Sequence, residues 1–250
     1  MKKTTLSLGL SLLIVGAVFT GCDDDNYSKI TVTGTLTKVG SYNTSKEGGA
    51  EIVAFDKTSK NMYITNGENK TLDIVSISDV TSPSLVSSID ITTYGTNLNS
   101  VAVADEKVAV AVEDGNDTVG KKQLKGNVVI FDTAGTHERT VEVGYLPDMV
   151  TFNEDGTKII VANEGEPNND YTTDPVGSIG VINVSNYSYS DIGFSGVTLS
   201  AATDGTVVRL GDTPSNDQTK DLEPEYVTVL DNYAYVTLQE NNALAKWFIW

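Results

Sequence analysis

The 250-residue chain contains one cysteine, Cys22, and one histidine, His137. A single cysteine excludes a disulfide within the chain, and a single histidine excludes metal sites built from histidine pairs, so zinc is disfavoured. Basic residues are scarce as well: 17 Lys and Arg stand against 34 Asp and Glu, for a net charge of −17. So acidic a surface repels nucleic acid, and we expect no nucleic-acid partner. It favours cations and basic partners instead.

Several catalytic and structural patterns are also missing. The sequence has neither a Gly-x-Ser-x-Gly nucleophile motif nor a phosphate-binding Gly-Lys-Ser/Thr loop. Beyond the N-terminal apolar run, no stretch shows a sustained helical period, whereas short β-rich segments recur throughout. The sequence therefore predicts an all-β protein and names no catalytic residue.

The N-terminus is typical of a signal peptide over residues 1–22. Lys2 and Lys3 precede an apolar run over 6–19 that is too short to span a bilayer. The run ends at Phe19-Thr20-Gly21-Cys22, which resembles the lipobox of bacterial lipoproteins, so we expect lipidation at Cys22. Ordinary secretion with an idle cysteine is the alternative.

Residues 23–29 form an acidic tether that starts with Asp23-Asp24-Asp25. This run resembles the surface-export signals of some lipoproteins, although a solvated linker explains it equally well. We expect an exported lipoprotein, anchored in the membrane at the bacterial cell envelope, on the outer membrane or cell surface.

One pattern of short strands recurs with starts near residues 51, 100, 148 and 225. A period of about 45 to 50 residues is typical of propeller blades. The last interval is longer because residues 184–220 form an excursion, which we interpret as a recognition loop or a decorated turn. Asn153-Glu154-Asp155-Gly156 supplies a hairpin turn within the third repeat. Residues 30–250 are therefore predicted to form a partial β-propeller of four-stranded blades, about 3.5 blades of a ring.

A propeller must close, and the two ends of the chain bear on closure. The segment 30–36 is predicted to be a strand that completes the last blade of the ring. Residues 247–250, Trp-Phe-Ile-Trp, differ from the aliphatic strands of the other repeats and indicate a truncated end. A natural aromatic terminal strand is the alternative.

The motifs at 50–56, 146–152, 161–168, 221–226 and 238–244 closely resemble the choice-of-anchor I domain. The resemblance spans residues 40–245. The family is also similar to mesenchyme-specific cell-surface glycoproteins and, more remotely, to YVTN-type and phytase-like propellers. It implies a seven-bladed surface propeller whose members differ in their anchor, and it implies no settled catalytic activity.

In a propeller, the start of each inner strand and the loop between its second and third strands emerge on one face. Carboxylate and amide oxygens placed there suit Ca²⁺ or Mg²⁺. The candidate metal ligands are Glu51, Glu68, Glu113, Asp148, Asn163, Glu164, Glu166, Asp170, Glu225 and Glu240. The alternative is that these acids cap turns and keep the surface soluble.

The function predicted from these features is that of a non-enzymatic cell-surface module. It would bind a divalent cation, a mineral or a matrix partner through its acidic face. The alternative is a Ca²⁺-dependent phosphoesterase similar to the phytase propellers. Such an enzyme needs basic residues to hold phosphate, and Lys70 and Arg209 are the nearest candidates.

Overall fold

The computed structural model describes residues 36–44, 47–195 and 219–249. Cys22, the tether 23–29, Arg209, Trp250 and all but the last residue of the predicted 30–36 strand lie outside this part of the chain. All described strands belong to one compact unit, Lys38–Trp250. The described residues contain fifteen strands and no helix, which confirms the all-β prediction.

The strands form four antiparallel sheets, here called blades 1 to 4. Blade 1 comprises β1 (Val53–Asp56), β2 (Asn61–Asn66), β3 (Thr71–Ser76) and β4 (Ser84–Asp90). Blade 2 comprises β5 (Asn97–Ala104), β6 (Lys107–Asn116), β7 (Gly120–Asp132) and β8 (His137–Tyr145). Blade 3 comprises β9 (Pro147–Phe152), β10 (Lys158–Asn163), β11 (Ser178–Asn183) and β12 (Tyr189–Gly193). Blade 4 comprises β13 (Pro224–Leu230), β14 (Tyr233–Leu238) and β15 (Ala243–Phe248).

Within each blade, every strand pairs with its neighbour in sequence. The first strands of successive blades contact each other, β1 with β5, β5 with β9 and β9 with β13, so they lie together on the inner side. This is the arrangement of propeller blades, as predicted. One detail differs: the excursion after residue 184 begins with β12, the fourth strand of blade 3, because Tyr189 and Ile192 pair with Ile182 and Ile179.

The core consists of three apolar layers between neighbouring blades and a smaller cluster around Phe194, Leu222 and Leu238. Tyr63, Leu72 and Ile74 of blade 1 pack with Val108 and Val110 of blade 2. The intervening residues of β6 face the other way, so Ala109 and Ala111 pack against blade 3. A strand covered on both faces is apolar at every position, which explains the unbroken buried run from 108 to 112.

The third layer joins blades 3 and 4 through Ile160, Ala162 and Ile179 on one side and Val227 and Val236 on the other. The opposite side of blade 4 is exposed and apolar. We call it the outer face of blade 4, and it consists of Tyr226, Leu230, Tyr233, Leu244 and Phe248.

Turn chemistry fixes the hairpins. In the predicted turn of blade 3, Gly156 has a φ of 70°, which glycine adopts without strain. The side chain of Asn153 accepts the backbone N–H of Lys158 at 2.8 Å and closes the turn. The turn between β9 and β10 lies at the edge of the blade opposite to the start of β9.

Buried polar side chains tie strands together inside the blades. In blade 1, the buried Asp73 carboxylate accepts hydrogen bonds from Asn66 (3.0 Å), Thr71 (2.9 Å) and Ser88 (2.6 Å). In blade 3, Asn163 occupies the position of Asn66, and its amide donates to Ser178 at 3.1 Å and to Tyr189 at 3.3 Å. These groups stabilise the second, third and fourth strands of their blades.

Candidate functional site

The pairing registers place strand starts and loop starts at one edge of the blades. Asn163 at the end of β10 pairs with Pro147 at the start of β9, and Leu238 pairs with Pro224 in the same way. Glu113 pairs with Asn97 in blade 2. The charged side chains at this edge form one surface, here called the acidic face. Its members are Glu113, Asp148, Glu164, Glu166, Glu223, Glu225 and Glu240.

Glu164 is half-buried at the centre of the acidic face. Its backbone N–H donates to the Leu146 carbonyl at 2.9 Å, which fixes it beside the start of β9. Burial and the neighbouring carboxylates of Asp148, Glu166 and Glu223 raise the pKa of Glu164 to about 8. The side chain thus holds a proton at neutral pH unless a cation compensates its charge.

Glu223 behaves in the same way on the blade 4 side. Burial, followed by the charges of Glu166 and Glu240, raises its pKa to about 7. Asp148 and Glu225 also have raised pKa values, and burial is the largest cause for both. Carboxylates from blades 3 and 4 and their loops therefore lie so close together that solvent does not fully screen their mutual repulsion.

Glu113 belongs to the acidic face from the blade 2 side. Burial raises the pKa of its carboxyl group, while a hydrogen bond from Asn99 at 3.3 Å opposes the rise. The same Asn99 amide donates to the Pro147 carbonyl at 3.1 Å. Asn99 therefore ties Glu113 to the start of β9, where Asp148 lies.

One lysine projects into the acidic face. The Lys122 Nζ atom lies 3.1 Å from Glu166 Oε2. Burial opposes the charge of Lys122, but the hydrogen bond to Glu166 and the charges of Glu113 and Glu164 outweigh it, so its pKa is raised. Lys122 is the cation that the described residues place among these carboxylates.

Two glycines shape the loop that carries Glu164 and Glu166. Gly165 has a φ of 74°, and a Cβ atom there would lie 2.5 Å from the Gly177 nitrogen. A Cβ atom on Gly177 would collide with the Leu222 carbonyl and lie 2.6 Å from the Glu164 carbonyl. Only glycine allows this close approach, which brings the loop after β10 against the segment that carries Glu223.

Six of the predicted ligands belong to the acidic face, and the other four have different surroundings. The Glu51 Oε2 atom lies 3.2 Å from the position that a Cβ atom on Gly67 of blade 1 would occupy. Glu68 is exposed in the adjoining turn. Asn163 is fully buried and donates to Ser178 and Tyr189 within blade 3. Asp170 is exposed and accepts a bond from Thr172 at 2.7 Å, so it serves a turn.

Sequence reasoning missed two residues of the acidic face. Glu223 lies two residues before Glu225, where the fourth repeat starts, so the repeat pattern could have indicated it. Lys122 had no such signal, because it belongs to an extension of the β6–β7 hairpin that the other repeats lack. Lys122 is the basic residue that the described structure places among these carboxylates, whereas Lys70, the candidate named from the sequence, is exposed in the β2–β3 turn of blade 1.

Two features of the described residues bear on metals and membranes. No three His, Cys, Asp or Glu side chains in residues 36–44, 47–195 and 219–249 lie close enough to hold a metal ion together. In the same residues, no helix is long and apolar enough to cross a bilayer.

Several solved structures resemble this chain at low sequence identity. The chain is similar in structure to the Kuenenia stuttgartiensis hydrazine synthase, at 12% identity and a TM-score of 0.46, over 80% of this chain and 64% of that one. It is similar to the computationally designed Ika4 protein, at 12% identity and a TM-score of 0.49, over 86% of this chain and 99% of that one. For a chain of the nidogen/laminin complex, the identity is 14% and the TM-score 0.43, over 80% and 76%. No curated protein matches in sequence.

The family comparison covers all of the described strands. The model of the choice-of-anchor I domain matches residues 51–248, from just before β1 to the end of β15. The chain therefore belongs to the choice-of-anchor I domain family and is a surface-associated β-propeller.

Proposed function

We propose that this propeller is a non-enzymatic binding module that takes a cationic partner on its acidic face. The observation that carries the proposal is the pair Glu164 and Glu223, two half-buried carboxyl groups whose pKa values are raised by burial and by other carboxylates. Such crowding costs free energy in the folded protein, and a bound cation lowers that cost.

The partner proposed for this face carries several positive charges. A basic segment of a matrix protein or the cations of a mineral surface can contact many carboxylates at once. Each contact is strengthened by the negative charge of the surrounding carboxylates. A lipid at Cys22 is the proposed anchor, which would hold the protein at the membrane. Replacing Cys22 by serine should then release the protein from the membrane fraction.

A divalent ion is a further proposed ligand. Ca²⁺ and Mg²⁺ prefer carboxylate oxygens, and the side chains of Glu164, Glu166 and Asp148 would have to move together to share one. Calorimetric titration with each ion tests this possibility. No observation on the acidic face favours the phosphoesterase. Such an enzyme needs a basic residue to hold phosphate, and Lys122, the basic residue that the described structure places on this face, is already paired with Glu166.

Proton release gives the sharpest test of the proposed function. Binding of a twelve-residue lysine peptide should be followed by calorimetry at pH 7.5 and low salt, in two buffers with different ionisation enthalpies. Because a cation favours the charged carboxylate, binding should release protons from Glu164 and Glu223. The measured heat should therefore differ between the two buffers.

Variants assign this signal to the acidic face. Glu164→Gln should release fewer protons and bind about fivefold more weakly at pH 8.5, where the wild-type carboxylate is largely charged. Glu154→Gln, at the opposite edge of blade 3, is the matched control and should bind as the wild type does. Absence of heat with the peptide, Ca²⁺ and Mg²⁺ alike would contradict the proposed function.

A further inference from the structure

The β6–β7 hairpin of blade 2 is longer than its counterparts. In blades 1 and 3 the second strand ends at Asn66 and Asn163, whereas β6 continues to Asn116. The extension pairs Asp114 with Leu124 and Asn116 with Gly120, after a register shift beyond Val112. The hairpin thus extends past the edge of its blade and brings Lys122 to the loop of blade 3.

Two polar contacts hold the hairpin against that loop. The Lys122 Nζ atom lies 3.1 Å from Glu166 Oε2, and the Gln123 side chain donates to the Glu166 carbonyl at 3.0 Å. At the tip, Gly120 has a φ of 117°, and a Cβ atom there would lie 2.6 Å from Gln123 Cγ. Backbone geometry and side-chain bonds therefore both direct residues 122 and 123 to Glu166.

One hydrogen-bond acceptor in this hairpin, the side-chain oxygen of Gln123, has no donor. Its side chain is 6% exposed, yet its Oε1 atom has no hydrogen-bond partner. A buried amide oxygen without a donor is costly, and the nitrogen of the same amide group donates to the Glu166 carbonyl. A ligand with several N–H donors would satisfy both the oxygen and the carboxylates.

We propose that Lys122 is a tethered cation that holds the place of a basic ligand, and that the ligand is the ammonium or guanidinium group of a Lys or Arg side chain. The incoming group displaces Lys122 from Glu166 and donates to Gln123 Oε1. This inference rests on the proposed function, because it names the ligand class of the same face.

The energetics of the ion pair fit a group that can leave. The side chains of Lys122 and Glu166 are 46% and 44% exposed, so solvent screens their attraction. Exposed pairs of this kind are weak, and a displaced lysine regains its rotamer freedom and its hydration. Meanwhile its positive charge repels any second cation nearby, so the tethered lysine lowers the affinity of the face for its partner.

The experiment compares two lysines of the same strand. The twelve-residue lysine peptide should bind Lys122→Gln about fivefold more tightly than the wild type. Lys122→Arg, which keeps the charge, should match the wild type. Lys125→Gln is the matched control, since Lys125 lies 3.9 Å from the exposed Glu142, outside the acidic face, and should leave the affinity unchanged. Adding Gln123→Leu to Lys122→Gln should reverse part of the gain.

The outcomes separate this inference from the proposed function. If the wild type binds the peptide and Lys122→Gln binds equally or more weakly, the tethered-cation inference is overturned and the proposed function stands. If Lys122→Gln gains affinity for Ca²⁺ but not for the peptide, the ligand class is wrong. If neither protein binds the peptide or a divalent ion, both proposals fail.

Discussion

Acidic residues of the same type have opposite properties in two parts of the propeller. In the turns, a side-chain hydrogen bond from Thr157 lowers the pKa of Asp155, and Thr172 does the same for Asp170. On the acidic face, burial and neighbouring carboxylates raise the pKa of Glu164 and Glu223. The lowered pKa values follow from residues close in sequence, whereas the raised pKa values depend on which blades lie next to each other.

The raised pKa values predict that the folded protein loses stability as pH rises. In the unfolded chain both glutamates ionise near pH 4.5, whereas in the fold they keep their protons to about pH 7 for Glu223 and about pH 8 for Glu164. The stabilising effect is complete below the unfolded value and is lost as pH rises through the folded one. The two shifts correspond to about 5 kcal/mol of unfolding free energy between pH 5.5 and 8.5. Because both side chains are only half-buried, solvent screens part of this effect, and we expect the unfolding free energy to fall by about 2 kcal/mol.

Urea denaturation at several pH values measures this loss. Glu164→Gln should show about half of the wild-type dependence, because glutamine does not ionise. Asp155→Asn is the control: its pKa is lowered, so its contribution changes only in more acidic solution. An equal pH dependence in the wild type and Glu164→Gln would show that Glu164 titrates normally.

The acidic face was largely predictable at the residue scale, and Lys122 was not. Asp148 and Glu225 follow from the repeat, because a strand start in one blade implies the same edge in the next. Lys122 reaches the face through a hairpin extension that has no counterpart in blades 1 and 3. The repeat placed Asn163 correctly at the end of its strand, but not its side-chain contacts: the amide donates to Ser178 and Tyr189 inside the blade.

At the scale of elements, neighbouring blades approach closely where a glycine faces a larger side chain. Gly144 in β8 faces Asn163 in β10, and a Cβ atom at 144 would lie 2.6 Å from Asn163 Cγ. Asn163 cannot yield readily, because it is fully buried and bonded to two side chains. The contact between blades 2 and 3 therefore requires glycine at this position.

Gly144→Ala should destabilise the protein by about 1–3 kcal/mol, since an added methyl group in a packed layer forces neighbours apart. Gly193→Ala in β12 is the matched control, because no atom lies within 4 Å of the Cβ it would add. The midpoint of urea denaturation compares them. Equal midpoints for the two variants would show that the contact at Gly144 adapts without cost.

The strands themselves were predictable to different degrees. Alternation and turn residues indicated the first two strands of each repeat, and the prediction of four-stranded blades is confirmed in blades 1 to 3. β12 was missed because its sequence, Tyr-Ser-Asp-Ile-Gly, is polar at the edge of the blade and reads as loop. An outer strand buries little of its surface, so hydrophobic pattern says little about it.

At the scale of the whole molecule, the outer face of blade 4 is a packing surface without a cover in the described residues. The pairing registers align Tyr226 with Met149 and Leu244 with Ile179, residues through which blade 3 packs on blade 4. Leu244 is nevertheless 65% exposed. An apolar patch of this kind favours association.

We therefore expect the 250-residue chain to self-associate as its concentration rises. Leu244→Asp should shift sedimentation velocity profiles towards the monomer, because a carboxylate in the patch opposes its burial. Val80→Asp is the control, since Val80 is also exposed but belongs to blade 1. If the wild type remains monomeric at high concentration, or if both variants behave alike, the face does not drive association.

The order of strands also bears on how the propeller opens. Each strand pairs with its neighbour in sequence, and each blade packs mainly on the blades before and after it. Local openings in such an array start at its ends and spread inward, so amide protons in β6 and β10, covered on both faces, should exchange with solvent last. Glu113 lies within β6 and Glu164 directly follows β10, so the acidic face is held by the part of the propeller that opens least often.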